Sequence, residues 1–200
     1  MATLHLIDTS GYIFRAFFSL PAMTNPANEP VGAVYGYVRM SLNLMRDRAQ
    51  DGGEHFVAAV FDGHRRGEDH RSVLDATYKA NRKPMHPDLA PQFAMVRDAA
   101  EVLGLNPVRV DGLEADDVIA SYVLAAQLAG MDVELLSSDK DMMPLIALGV
   151  TMFDPLKGKP VTAETVMEKF GVTPDLLPYV LALAGDSADN IPGVPGIGIK

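Results

Sequence analysis

"HFVAAVFDG", residues 55–63, is six consecutive apolar residues after His55, closed by an acid and a glycine. A run this short, continuous rather than alternating and rich in β-branched and aromatic side chains, reads as a strand buried on both faces, the pattern of a parallel sheet. The same construction opens the chain, where "TLHLI" (3–7) is followed at once by Asp8. Two further runs, "NPVRV" (106–110) and "DVELLS" (132–137), are followed closely by Glu114 and Asp139. Helical apolar spacing fills the gaps: Val31 to Arg48 stops at Gly52-Gly53, Leu89 to Leu103 at Gly104, and Ala115 to Ala129 at Gly130. Strands alternating with helices predict an α/β fold with a central, mostly parallel sheet flanked by helices. Residues 20–30 read as a loop and 154–160 as a turn, and there is no internal repeat.

This layout gives the acids a position. Ligands bind outside the carboxyl ends of the strands of an open parallel sheet, and four strands each deliver an acid to that edge: Asp8, Asp62, Glu114 and Asp139. Asp116 and Asp117 join Glu114 at the start of a helix, where the dipole favours negative charge and simple capping accounts for one or two of them. Glu114 and Asp117 share a face, while Asp116 points about 100° away from Asp117. Asp139 and Asp141 fall on one side if the backbone there is extended; an N-cap with a first-turn acid is the other reading.

So many carboxylates together repel one another unless cations are present. The chain has no cysteine, and its five histidines lack ligand spacing, so a metal must be held by oxygen, which suits Mg²⁺ or Mn²⁺. Two such ions roughly 4 Å apart can clamp a phosphodiester, which makes its hydrolysis the natural reaction class.

The balance of 17 basic and 26 acidic residues gives a net charge of −9, which by itself argues against a nucleic acid partner. Between Gly63 and His86, however, Arg65, Arg66, Arg71, Lys79, Arg82 and Lys83 outnumber Glu68, Asp69 and Asp75. If "YKANRK" (78–83) is helical, Lys79 and Arg82 share a face that can grip a phosphate and Tyr78 can stack on a base; a solvated face is the bland reading. Near the C-terminus, "GDSADNIPGVPGIGIK" adds Asp186 and Asp189, then Gly193, Gly196 and Gly198, either a plain turn or a hairpin whose backbone N–H groups reach a DNA phosphate. The composition, 48% apolar and 22% charged, is that of a globular domain. No run of 18 apolar residues and no signal peptide are visible, so no membrane is expected and the cytoplasm is the expected location.

The segments "LIDTSGYIFRAFFSLP", "NEPVGAVYGYV", "VFDG", "YKANRKPM", "GLEADDVIAS", "LSSDKDMMPL" and "ALAGDSADNIPGVPGIG" occur, in order, over residues 4–198. Together they resemble the 5′-nuclease domain of bacterial DNA polymerase I, within the flap endonuclease family. The resemblance implies a resolvase-like α/β core over 1–170 and the beginning of a helix-hairpin-helix DNA-binding region over 171–200. It implies Mg²⁺-dependent 5′-nuclease activity on DNA with a 5′ flap, nick or single-stranded 5′ end, including RNA primers. By motif position, Asp8, Asp62, Glu114 and Asp116 resemble ligands of a first metal. Asp139, Asp141 and Asp189 resemble those of a second, with Asp117 and Asp186 contributing directly or through water. Lys79 and Arg82 are similar to the family's phosphate-steering pair, Tyr78 to its neighbouring aromatic, and Arg15 to a residue near the substrate phosphates. Residues 63–90 are similar to the arch that passes a single-stranded 5′ end. Residues 190–198, with Gly193, Gly196 and Gly198, look like the hairpin that holds duplex DNA, in this family often with K⁺.

Three positions depart from the family pattern: Phe18 where many relatives carry His, His70 where Phe is common, and Val73 in place of an acid. The chain also stops at Lys200, where family domains continue, so it is expected to be a fragment or a shortened relative with an incomplete grip on duplex. Other readings are a PIN-like ribonuclease, which would not require the 185–198 hairpin, and a DNA-binding module with little turnover. A haloacid dehalogenase-type phosphatase fits less well, because Asp8-Thr9-Ser10 lacks that family's second aspartate.

Overall fold

A computed structural model describes residues 2–63, 70–155 and 157–199. Its strands are β1 (Ala2–Asp8), β2 (Glu54–Phe61), β3 (Pro107–Arg109), β4 (Asp132–Leu136), β5 (Thr151–Asp154) and β6 (Lys159–Val161). They form one sheet in the order β3-β2-β1-β4-β5-β6, parallel except for β6, which returns antiparallel to β5. The four strands legible in the sequence are the first four. β5 and β6 are too short to show a pattern of their own, and the expected turn at 154–160 is what joins them, with Gly158 N–H donating to the Asp154 carbonyl at 2.9 Å.

The helices are α1 (Thr9–Ser19), α2 (Gly32–Arg48), α3 (His70–Leu74), α4 (Gln92–Val102), α5 (Ala115–Leu128), α6 (Ala163–Phe170) and α7 (Leu177–Ala184). The glycines expected to end α2, α4 and α5 do follow them, and Gly52, Gly104 and Gly130 all take the left-handed conformation. α1 was not expected, because it starts on the residue after β1 with no loop or turn signal between them.

The inner strands β1, β2 and β4 place buried residues on both faces of the sheet, as their continuous apolar runs imply. Leu4, Leu6, Ala58, Val60, Val133 and Leu135 pack on the α5–α6 side. Ile7, Ala59, Phe61 and Leu136 pack on the side of α1, α2 and α4. Leu177, at the start of α7, is fully buried in the same cluster as Phe170 of α6, so the chain beyond 170 is anchored on the core. Because β2 lies on one side of β1 and β4 on the other, the connections diverge at the β1–β4 boundary, which opens a crevice at the carboxyl ends of those strands. Among the described residues no helix is long and apolar enough to cross a membrane.

Candidate active site and metal centre

The crevice is a cleft of about 330 Å³, and eight of the nine acids singled out in the sequence line it. Asp8, the last residue of β1, accepts a hydrogen bond from the Ser137 hydroxyl just beyond β4, at 2.8 Å. Asp62, directly after β2, accepts from the Ser10 hydroxyl at 2.7 Å and from Ala115 N–H at 2.9 Å, so it caps α5 from across the sheet edge. Glu114 sits at the N-cap position of α5 with extended backbone and no side-chain capping bond. Its side chain, 4% exposed as a residue, turns into the cleft instead. Asp116, in the first turn of α5, completes this half of the lining.

The other half comes from the chain after β4 and after α7. Asp139 caps a 3₁₀ stretch, Lys140–Leu148, by accepting from Asp141 N–H at 3.0 Å; the N-cap reading of this acid pair is the one realised. Asp186 and Asp189 lie in a loop closed by paired backbone hydrogen bonds between Asp186 and Ile191. Asp141, Asp186 and Asp189 each offer an oxygen within 4.8 Å of the others. This all-oxygen set, with no cysteine or histidine beside it, could hold a hard divalent ion.

The carboxylates feel one another. Burial pushes the Asp8 carboxyl up to about 6, opposed by the Ser137 hydrogen bond and aided by the charges of Asp139 and Asp62. Burial likewise brings Asp116 to about 6, with Arg71 opposing and Glu114 and Asp117 adding. Asp141 is raised by burial and by Asp139. Negative charge here is therefore only partly compensated by the protein.

What compensation exists comes from basic side chains turned inward. Lys79 Nζ lies 2.7 Å from Glu114 Oε1, Arg82 pairs with Asp189, and Lys140 Nζ lies 2.7 Å from Asp186 Oδ2 and 3.1 Å from Asp141 Oδ1. Residues 78–83 are not helical, contrary to the conditional expectation. They form successive turns, and Lys79 has φ of 54° with its N–H held by the Asp189 carbonyl at 2.8 Å. Asn81 and Asn190 add side-chain bonds to the Ser187 and Thr77 carbonyls, stitching this segment to the 186–190 loop. Lys79 and Arg82 still converge on the cleft, by tertiary contact rather than by a shared helical face.

Other residues are placed differently from expectation. Tyr78 aims its hydroxyl at Glu114 (3.2 Å) and Asp189 (3.4 Å), with Lys79 Nζ 4.8 Å from its ring centroid, so its polar end is engaged inside the protein. Asp117 does not line the cleft; both its oxygens are taken by Arg71 of α3. Arg15, half-exposed on α1, is also outside the lining. Gly193 is required by packing, since a Cβ there would overlap the Ala184 carbonyl, and Gly196 has φ of 83°. Gly198 has open space around it and no packing reason to be glycine. Of the arch-like segment 63–90, residues 64–69, including Arg65 and Arg66, lie outside the described residues.

The structure adds residues that the sequence did not single out: Ser10 and Ser137, which orient Asp62 and Asp8, Lys140, and Phe14, which lines the cleft. Phe14 stacks with Phe18 at 6.5 Å, and Phe18, the departing position, is 73% exposed. Polar orienting residues have no periodicity to betray them; Lys140 was in view only as the spacer of an acid pair.

A family model described as the 5′-3′ exonuclease, N-terminal resolvase-like domain, matches residues 3–171. The chain is 42% identical over 201 residues to DNA polymerase I of Rhizobium leguminosarum, covering 98% of this chain and 20% of that protein. It is 35% identical over 202 residues to the 5′-3′ exonuclease of Aquifex aeolicus, covering 100% of this chain and 67% of the relative. The chain thus spans about a fifth of the polymerase relatives it matches. The structure of T5 5′-exonuclease with bound divalent zinc ions shares the fold, with a TM-score of 0.77 at 23% identity over 99% of this chain and 72% of that one. A T5 flap endonuclease in complex with DNA and metal ions aligns with a TM-score of 0.75 at 22% identity, over the same shares of the two chains.

Proposed function

Because the chain belongs to the 5′-3′ exonuclease family, through its N-terminal resolvase-like domain, we propose that it hydrolyses phosphodiester bonds at 5′ ends, nicks or flaps of DNA, as in removal of RNA primers and repair flaps. The observation that carries this reading is the convergence of eight carboxylates on one cleft at the carboxyl edge of the sheet. We place a first divalent ion with Asp8, Asp62, Glu114 and Asp116, and a second with Asp139, Asp141, Asp186 and Asp189, Mg²⁺ or Mn²⁺ in each case. Bound there, the ions would supply positive charge that offsets the phosphodiester and would make a water easier to deprotonate, so that it becomes nucleophilic enough to attack the phosphorus.

The chain's own residues do the rest. Ser137 and Ser10 hold the Asp8 and Asp62 carboxylates in fixed orientations, the outer-shell role that tunes metal ligands. Lys79 and Arg82, at the cleft wall, are suited to exchange Glu114 and Asp189 for phosphate oxygens, with Arg82 offering a planar fork. Tyr78 supports Lys79 from beneath. Phe14 presents an aromatic face to the same cleft. Backbone N–H groups near Gly196 and Gly198, donating to phosphate oxygens, are the duplex-holding element of this reading, and backbone carbonyls of the same hairpin are the groups that would accept K⁺.

A 5′-labelled flap duplex incubated with Mg²⁺ and read for product length tests the proposal. A released flap or short 5′ products are expected. Internal cuts confined to RNA would point to a PIN-like ribonuclease instead, and a mobility shift without products would point to a binding module.

A further inference from the structure

Lys140 stands apart from the other basic residues of the cleft. Lys79 and Arg82 reach in from the 78–83 turns, whereas Lys140 lies between two of the second site's own acids in sequence, Asp139 and Asp141. Its backbone is fixed: Asp139 caps the 3₁₀ stretch that Lys140 begins, and Asp139 N–H is itself held by Ser137 Oγ at 3.0 Å. From there the ammonium reaches Asp186 Oδ2 at 2.7 Å and Asp141 Oδ1 at 3.1 Å. Those are two of the three acids whose oxygens come within 4.8 Å of one another.

We propose that the Lys140 ammonium is the resident counter-ion of the second metal site, occupying the space between Asp141 and Asp186 that a divalent ion takes and leaving when that ion binds. The inference rests on the two-ion reading above. A single positive charge with three N–H donors satisfies these carboxylates in the metal-free protein, where they would otherwise repel. A divalent ion must displace the ammonium, so the second site fills less readily than its acid count suggests. The displaced ammonium remains tethered at the cleft wall, where a substrate phosphate is the next anion within reach. Loading of the second site is thereby linked to arrival of the substrate, since each favours the released position of the same side chain.

The test is a calorimetric Mn²⁺ titration of the whole chain, wild type against Lys140→Met, with Lys140→Gln as a second uncharged variant and circular dichroism as the check on folding. Loss of one partly exposed competing charge should tighten the weaker Mn²⁺ step about tenfold and leave the tighter step unchanged. In EDTA the same variants should melt below wild type, because Asp141 and Asp186 then face each other without the ammonium that pairs with both. Structural damage would weaken Mn²⁺ binding, so tightening is a readout that damage cannot mimic. If wild type binds two ions and both variants bind the second no more tightly, the role of Lys140 is overturned while the metal reading stands. If Asp189→Asn and wild type bind the same number of ions with the same affinities, the metal reading of these acids fails, and the inference with it.

Discussion

The guanidinium of Arg71 grips Asp117 through two parallel hydrogen bonds, Nη1 to Oδ2 and Nη2 to Oδ1, both at 2.8 Å. Its remaining charge faces Glu114 at 3.6 Å and Asp116 at 3.7 Å. One short helix, α3, is thereby fastened to the N-terminus of α5 by a bidentate, charge-assisted pair. This pairing lowers the Asp117 carboxyl although burial works the other way.

Asp117 is therefore expected to act as an anchor for the 70–83 segment. A double-mutant cycle of Arg71→Ala and Asp117→Asn should show coupling of about 1–2 kcal/mol, above the ordinary surface pair because the geometry is bidentate. Hydrogen exchange across residues 70–83 should quicken in both single variants. Additive effects on stability would show that the pair fastens nothing.

Lys79 is expected to serve substrate binding and local charge balance together. Lys79→Ala should slow cleavage and reduce the salt dependence of DNA binding by about one unit of log–log slope, the signature of one lost phosphate contact. Salt titration of flap binding in Ca²⁺ measures this, and an unchanged slope would remove Lys79 from the phosphate path.

Asp8 illustrates a site held at the expense of stability. Its carboxyl titrates near 6 rather than 3.8, so the native protein holds that proton more tightly than the unfolded chain does. The cost of ionised Asp8 is present above pH 6 and vanishes as pH falls toward 3.8. In EDTA at pH 8, Asp8→Asn should stabilise the protein by about 1–3 kcal/mol, and the gain should fade by pH 4. Cleavage should be lost in the same variant. Denaturant melts at the two pH values decide it, and a variant less stable at pH 8 would contradict the expectation.

Glu134 behaves in the opposite sense on the far end of the sheet. Burial raises its carboxyl, but hydrogen bonds from His5 at 2.7 Å and from Arg48 at 2.8 Å outweigh that and bring it down from 4.5 to about 2. Its stabilising contribution is fully present above pH 4.5 and is lost as pH falls toward 2. Glu134→Gln should cost about 3 kcal/mol at pH 7, at roughly 1.4 kcal/mol per pKa unit, with a deficit that narrows as pH falls from 4.5 to 3. A constant deficit across that range would rule out this linkage.

The C-terminal glycines separate packing from binding. Gly193→Ala must push against the Ala184 carbonyl and should destabilise the protein by about 1–3 kcal/mol, whereas Gly198→Ala meets nothing within 4 Å and should leave melting unchanged. If the 190–198 backbone holds duplex, Gly198→Ala weakens binding of a flap duplex without altering stability. Unchanged binding would take Gly198 out of the interface.

Much of the site is legible in the sequence. Asp8, Asp62 and Asp139 were legible because each follows a run of apolar residues closely, and the direction of a parallel sheet then puts them on one edge. Glu114 and Asp116 were legible as acids at a helix start. α1 was hidden because no turn residue separates it from β1, and β5 and β6 because three or four residues carry no period. For the 78–83 segment spacing offers a shared face only on the condition of a helix, and contacts with Ser187, Asp189 and Asn190 hold it in turns instead.

The sequence by itself determined the α/β class, the parallel inner strands, the helix ends at Gly52, Gly104 and Gly130, and an acid-rich edge in a chain without cysteine. All of these follow from burial period, turn chemistry and residue type, which act over a few neighbours. Only the tertiary structure decided which acid meets which cation: Asp117 with Arg71, 46 residues away, and Asp186 with Lys140, also 46 away. Charge pairing is settled by distance in space, so it awaits the sheet order and loop docking that bring those side chains together.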